Sequence, residues 1–148
     1  MARRGKSLKL SEGTSLLAVI GDEATVTGFL LTGIGERNHK GEANFFIVDA
    51  NTPQPAIEDA FTRFISRPEI VIVLINQNIA ERELRHLINA HTAVLPTILE
   101  IPSKDCPYDA EKDSIMQRAA NQLYGPEKAK GVLSGTIAVE FKGEEAKE

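Results

Sequence analysis

Four apolar runs, separated by amphipathic stretches, dominate the pattern of hydrophobic and polar positions along the chain. The runs cover residues 16–20, 44–49, 70–75 and 93–101, and they are rich in valine, isoleucine and leucine. Their residues do not alternate with polar ones, which is typical of parallel strands that are covered on both faces. The pattern therefore predicts four buried β-strands.

The stretches between these runs have the periodicity of helices. In each of them, apolar residues recur at intervals that bring them onto one face of a helix. These sets are Val26, Phe29, Leu30 and Gly33 in the first stretch, Ile57, Ala60, Phe61, Phe64 and Ile65 in the second, and Ala80, Leu84, Leu87 and Ile88 in the third. At the start of the second helix, Thr52-Pro53 offers a capping hydroxyl followed by a first-turn proline.

Alternating strands and helices indicate an α/β fold. Right-handed crossovers then give a small, four-stranded parallel sheet with flanking helices. By analogy with small doubly wound domains, we predict the strand order 2-1-3-4. The predicted organisation is a basic N-terminal arm at 1–13, the α/β domain at 14–102, a linker and C-terminal helix at 103–124, and a flexible tail at 125–148.

One further helix is predicted after the fourth strand. Its signals run from about Asp109 to Tyr124, and Gly125-Pro126 ends it. Its apolar residues form a thin stripe of rather small side chains, namely Ile115, Met116, Ala119, Ala120 and Leu123. Such a stripe suits a partner helix because small residues allow close approach. Beyond it, EKAKG is interpreted as a linker. The segment TIAVEF at 136–141 is interpreted as a fifth strand, an edge strand or part of a disordered tail.

The turn after the first strand lacks the glycines of a nucleotide site. Only Gly21 lies between the strand and the helix, whereas Gly33 and Gly35 follow the helix, where glycines act as C-caps. Asp22 and Glu23 occupy the first helical turn, where carboxylates cap free N–H groups and repel a phosphate. A GxxxxGK[ST] motif does not occur in the sequence. We therefore predict that the chain binds no nucleotide or other cofactor.

Polar residues at the predicted strand ends are also interpreted as structural groups and not as a ligand site. They are Asp22, Asp49, Asn76, Gln77, Glu100 and Ser103. Acids at this edge are typical of the phosphoacceptor pocket of receiver domains, but the third strand ends in Asn76-Gln77, and an amide cannot take up a phosphoryl group. We interpret these residues as helix caps and turn-closing groups, and we predict neither a catalytic nor a metal site. A receiver-like or nucleotide-binding signalling domain is the alternative.

Composition and charge narrow the classes of partner. The net charge of −4, from 17 basic and 21 acidic residues, argues against nucleic acid. No apolar run approaches the roughly 20 residues that span a bilayer, so membrane insertion is not predicted. Cys106 is the single cysteine, which fits a reducing, cytoplasmic setting. The basic arm is interpreted as solvated, and a contact with anionic lipid or an acidic protein is the alternative.

Three blocks of the sequence together resemble a known family. They are AVIGDEATVTGFLLTGIGERN at 18–38, INQNIAE at 75–81 and LPTILEIPSKDCPYDAEKDSIMQRA at 95–119. These blocks are similar to the F subunit of the eukaryotic vacuolar-type proton-translocating ATPase, over about residues 14–124. The resemblance implies a Rossmann-like N-terminal domain without a catalytic site. It also implies a place in the rotating central stalk, on the cytoplasmic face of vacuolar or other endomembranes.

The resemblance also implies partners for the C-terminal helix. They are the long coiled coil of the D subunit and other stalk subunits. By this analogy the helix contacts the D subunit through Ile115, Met116, Ala119 and Leu123, with Arg118 and Gln122 at the rim. The alternative is that the helix folds back onto the sheet, as the last helix of a doubly wound domain does. Without the resemblance, the two arrangements are equally favoured.

Overall fold

The computed structural model describes residues 15–37 and 40–137 of the 148-residue chain. The chain forms two compact units, an α/β unit and a helical unit, which divide between Pro107 and Tyr108. The basic arm and most of TIAVEF fall outside the described residues.

Four parallel strands form the sheet of the α/β unit. They are β1 (Leu16–Gly21), β2 (Phe45–Ile47), β3 (Ile70–Asn76) and β4 (Thr97–Ile101). The order is β2-β1-β3-β4, with Val19 of β1 opposite Phe45 on one side and Leu74 on the other. The predicted α/β class and the predicted strand order are both confirmed.

Helices connect the strands. They are α1 (Glu23–Leu31), α2 (Gln54–Ser66) and α3 (Gln77–Ile79), the last continuing through a π-helical segment (Ala80–Leu84) into α4 (Arg85–Ala90). α1 packs on β1 and β2, where Val26 joins Val19 and Leu74 in an apolar cluster. α2 contacts β3 and the π-helical segment, and it buries Ile57, Ala60, Phe61 and Phe64. The apolar stripe predicted for α2 is therefore confirmed at these four positions, whereas Ile65, its fifth residue, is only half-buried.

Several details of the α/β unit differ from the sequence-based prediction. β2 covers only Phe45–Ile47 of the predicted run 44–49. β4 begins at Thr97 and not at residue 93, because Pro96 has no N–H to donate to the ladder. The predicted capping role of Thr52 and the predicted first-turn position of Pro53 are both wrong, because Pro53 is the N-cap residue and α2 begins at Gln54. The Thr52 hydroxyl donates to Asp49 Oδ1 at 2.9 Å and accepts from the Asp49 N–H at 3.0 Å, so it closes the turn before α2.

The helical unit contains α5 (Ser114–Tyr124) and α6 (Pro126–Leu133), which pack on each other. α5 begins at Ser114 and not at Asp109, because Asp113 caps it. Its Oδ1 accepts the N–H groups of Ile115 at 2.8 Å and Met116 at 3.1 Å, and its Oδ2 accepts the Tyr108 hydroxyl at 2.7 Å.

The interpretation of EKAKG as a linker is wrong, because this segment lies within α6. Gly125 has φ +80°, a conformation that ends α5 at little cost for glycine. Pro126 then takes the first position of the next helix, where its missing N–H does no harm. In the part of the chain that the structure describes, neither of these helices nor any other is long and apolar enough to cross a membrane.

Candidate functional site

The turn between β1 and α1 is occupied by the chain's own polar groups. Asp22 caps α1, with its Oδ1 accepting the Thr25 N–H at 2.8 Å, which confirms the predicted capping role. The N–H of Asp22 donates to Asn76 Oδ1, also at 2.8 Å. These backbone donors at the start of a helix are the groups that hold a phosphate in nucleotide sites. Here the chain itself supplies their acceptors.

Asn76 connects three elements at the carboxyl end of the sheet. Its side chain is fully buried, and besides accepting from Asp22 it donates to the Pro102 carbonyl at 3.0 Å and to Thr25 Oγ1 at 3.3 Å. A Cβ atom at Gly21 would lie only 2.4 Å from Asn76 Oδ1. The glycine of the first turn therefore makes room for this amide.

A second polar cluster joins β4 to the helix that follows β3. The side chain of Glu100 is fully buried, and its Oε1 lies 2.7 Å from Nη1 of Arg85. Its Oε2 accepts from Gln77 Nε2 at 3.2 Å. Charge and hydrogen bonds together offset the cost of burying this carboxylate at least in part, and loss of a partner would leave a buried charge uncompensated. We therefore assign the cluster to the stability of the α/β unit.

The remaining polar strand ends close turns. Ser103 and Cys106 are hydrogen-bonded to each other in the turn after β4, with Ser103 Oγ accepting the Cys106 N–H at 3.1 Å. Asp49 closes the turn between β2 and α2. The hydrogen bonds that its carboxyl group accepts from the Thr52 hydroxyl and the Asn51 N–H lower the pKa of that group. The interpretation of these strand ends as caps and turn-closing groups is confirmed for Asp22, Asp49 and Ser103.

A crevice of about 270 Å³ lies at the carboxyl ends of β1 and β2. Its charged lining residues are Asp22, Asp49, Glu83 and Arg82. Three carboxylates against one guanidinium disfavour a phosphate. Within residues 15–37 and 40–137, His, Cys, Asp and Glu side chains form no group of three or more that could hold a metal ion.

The C-terminal helix α5 carries the residues for which the sequence predicts a partner. Met116 is 43% exposed and Leu123 is 72% exposed, Ala119 is exposed, and Ile115 is half-buried. At about 100° per residue, these four positions lie within about 100° of one another around the helix. We call them the α5 seam; the exposed side chains of Arg118 and Gln122 flank it. The structure thus brings the predicted contact residues together on one face, and their contact with the D subunit stays a prediction.

Sequence reasoning missed several groups that organise these regions. The buried Asn44 side chain donates to the Leu17 carbonyl at 2.8 Å and accepts from the Glu36 N–H, which ties β1 to the connection before β2. The cap at Asp113 had a visible signal, namely an aspartate just before the apolar periodicity of α5. The contacts of Asn44 and Asn76 have no such local signal.

Comparisons with known proteins give one family. Residues 17–119 match the family model described as ATP synthase (F/14-kDa) subunit. The chain is similar to F subunit 1 of the V-type proton ATPase of Drosophila melanogaster, with 55% identity over 112 residues that cover 76% of this chain and 89% of the relative. It is 54% identical to the human V-type proton ATPase F subunit over 119 residues, which cover 80% of this chain and 92% of the human protein. The Dictyostelium discoideum F subunit is 55% identical over 107 residues, 72% of this chain and 88% of that relative.

Proposed function

This chain belongs to the family of V-type proton ATPase F subunits, and we propose that it acts as a non-catalytic rotor component in the central stalk of such an ATPase. In this role it binds the D subunit and transmits torque between ATP hydrolysis and proton pumping. Residues 14–102 form the body, and residues 103–124 form the link and the binding helix. The assembled enzyme holds the chain on the cytoplasmic face of vacuolar or other endomembranes.

The polar strand ends support a role without catalysis. A catalytic residue needs a group that is available to a substrate, whereas the Asp22 N–H and the Asn76 amide bond to each other, and the Glu100 carboxylate pairs with Arg85. The excess of carboxylates in the crevice also disfavours ATP. A rotor component requires packing and complementarity of surfaces, which reactive groups do not provide.

The α5 seam is the observation that carries the proposal. Leu123 and Met116 expose apolar surface on a helix, and burying such a side chain against a partner contributes about 1.5–3 kcal/mol. Between them, Ala119 has a small side chain, so a partner helix can approach the backbone of α5 closely. An apolar stripe of this width fits the groove of a two-stranded coiled coil, and a long coiled coil is what the family resemblance implies for the D subunit.

Replacing Leu123 by glutamate tests the seam. Leu31, at the end of α1, is 85% exposed and offers a matched control, because Leu31→Glu makes the same chemical change on an exposed helical leucine outside the seam. We expect Leu123→Glu to weaken binding of the full chain to the D subunit by about 30-fold or more, from lost apolar burial and a desolvated charge. Leu31→Glu leaves the dissociation constant unchanged.

The binding is measured by isothermal titration calorimetry with the D-subunit coiled coil of the same organism, after circular dichroism has shown equal helix content for the variants. Equal affinity of the Leu123→Glu variant and the unmodified chain would contradict the proposed contact. A titration with ATP and Mg²⁺, followed by amide NMR shifts around Asp22 and Asp49, tests the alternative of a nucleotide-binding domain. Saturable shifts there would contradict the non-catalytic assignment.

A further inference from the structure

The two helices of the helical unit bury a shared face. The buried apolar side chains are Ala120 of α5, which is 5% exposed, and Ala129 of α6, which is 2% exposed. A bend at Gly125 joins the helices, and the Ala129 N–H donates to the Gly125 carbonyl at 3.0 Å. Ala129 lines a crevice together with Gln117 and Asn121 of α5, so its small side chain faces that helix. The packing against α6 leaves Met116 and Leu123 of the seam exposed.

The chain after α6 folds back over that helix. The Ile137 N–H donates to the Gly131 carbonyl at 2.9 Å, and the Ile137 side chain covers Gly131 so closely that an added Cβ would lie 2.5 Å from Ile137 Cδ1. Gly135, with φ +70°, makes the turn that allows this return. α6 therefore has contacts on two sides, with α5 and with Ile137, which favours it as an ordered element.

α5 needs such support because of its length. It has 11 residues, whereas an isolated helix shorter than about 12–15 residues is marginal in water. The cap at Asp113 satisfies two N–H groups at its first turn, but a cap alone does not compensate the entropy of ordering a short helix. The contact with α6 supplies the missing tertiary packing.

We propose that α6 is a brace that orders α5 before the partner binds and so raises the affinity of the seam. This inference rests on the proposed function for the identity of the partner, but the ordering of α5 by α6 stands without it. α6 lies beyond residues 17–119, the part of the chain that matches the family model. A partner that meets a pre-ordered helix does not have to provide the free energy of ordering it.

Ala129→Glu tests the brace without shortening the chain. It puts a charged side chain into the contact between α5 and α6, and glutamate keeps a good helix propensity. Lys128→Glu is the matched control, because it creates the same residue at the exposed neighbouring position of α6. A chain that ends at Gly125 is the second variant. Ending the chain at residue 137 controls for loss of the segment beyond the described residues.

Two measurements on these variants separate the ordering of α5 from the binding of the partner. The first is hydrogen exchange of the α5 amides without partner. We expect protection to fall about tenfold or more in Ala129→Glu and in the chain ending at Gly125, and to stay unchanged in both controls. The second is the affinity for the D subunit. If α5 is then ordered about one-tenth of the time, the dissociation constant rises about tenfold.

Unchanged protection of α5 in both brace variants would overturn the proposal. Lost protection with unchanged affinity would overturn the claim that the brace raises affinity. Failure of the proposed function has a different signature. In that case Leu123→Glu leaves binding to the D subunit unchanged, whereas the exchange measurement still reports on the brace.

Discussion

The close contact between Gly21 and Asn76 predicts that substitutions at these two positions are strongly non-additive. A methyl group at Gly21 would lie 2.4 Å from Asn76 Oδ1, so Gly21→Ala pushes the amide away from its hydrogen-bond partners. Asn76→Ala removes the same hydrogen bonds directly, and it also removes the atom with which the new methyl group collides. Each single substitution is therefore destabilising, whereas the second adds little once the first is present.

The magnitude follows from the groups that lose their partners. Asn76→Ala removes the hydrogen bonds to the Asp22 N–H and the Pro102 carbonyl, each worth about 0.5–1.5 kcal/mol, and it also removes the packing of a fully buried side chain. We expect a loss of about 2–4 kcal/mol in the free energy of unfolding for either single substitution. Additive effects would total about 4–8 kcal/mol, but the shared mechanism limits the double variant to about 3–5 kcal/mol, a coupling of about 1–3 kcal/mol.

The assay has to report on the α/β unit alone. Both tyrosines lie at or beyond residue 108 and the chain has no tryptophan, so intrinsic fluorescence follows the helical unit. Hydrogen exchange of the buried Val73 and Leu74 amides in β3 reports the opening of the sheet of this unit. Asn51→Ala, at an exposed asparagine of the same unit, should stay within about 0.5 kcal/mol of the unmodified chain. Strict additivity at positions 21 and 76 would refute the reasoning.

Two further predictions concern charged groups. Thr52→Val removes the hydroxyl that contributes most to lowering the pKa of Asp49 below its ordinary value of 3.8, so this pKa rises towards that value in an NMR titration of the carboxyl carbon. Because the folded pKa is depressed, the stabilisation from Asp49 is present above about pH 4 and is lost as the pH falls through the folded pKa; the variant loses part of this acid-dependent stability. Arg85→Met removes the guanidinium beside the buried Glu100, which should cost about 3 kcal/mol in urea unfolding, and a cost below about 1 kcal/mol would contradict the assigned stabilising role.

The sheet could be predicted from the sequence because its signal is local. A continuous apolar run such as Ile70–Asn76 and an amphipathic stripe such as that of Gln54–Ser66 are each visible within one window of the chain. Parallel strands joined by helices then permit few arrangements, and the analogy with small doubly wound domains selected the order among them. The strand of three residues at β2 carries the weakest local signal, and it is shorter than the predicted run of 44–49.

The interactions at the strand ends could not be predicted in the same way. Asn76 bonds to a residue 54 positions earlier and to another 26 positions later, and no local pattern encodes either partner. α6 was missed for a different reason. The pair Gly125-Pro126 ends one helix and begins the next. The same dipeptide is typical both of a helix end followed by a loop and of a bend between two helices, so the sequence does not distinguish them.

The strand ends and the α5 seam differ in what a substitution should change. At the strand ends, the Asn76 amide and the Glu100 carboxylate have partners within the chain, so their loss removes free energy of folding. At the seam, Leu123 exposes 72% of its surface, so its loss changes the stability of the isolated chain little. In a complex, the same loss removes the apolar area that Leu123 would bury against the partner. The proposed rotor function therefore predicts two separate groups of variants. Variants of the first group unfold without a specific binding defect, and variants of the second stay folded but no longer bind the partner. An enzyme would instead combine both effects at the strand ends, where its substrate would bind.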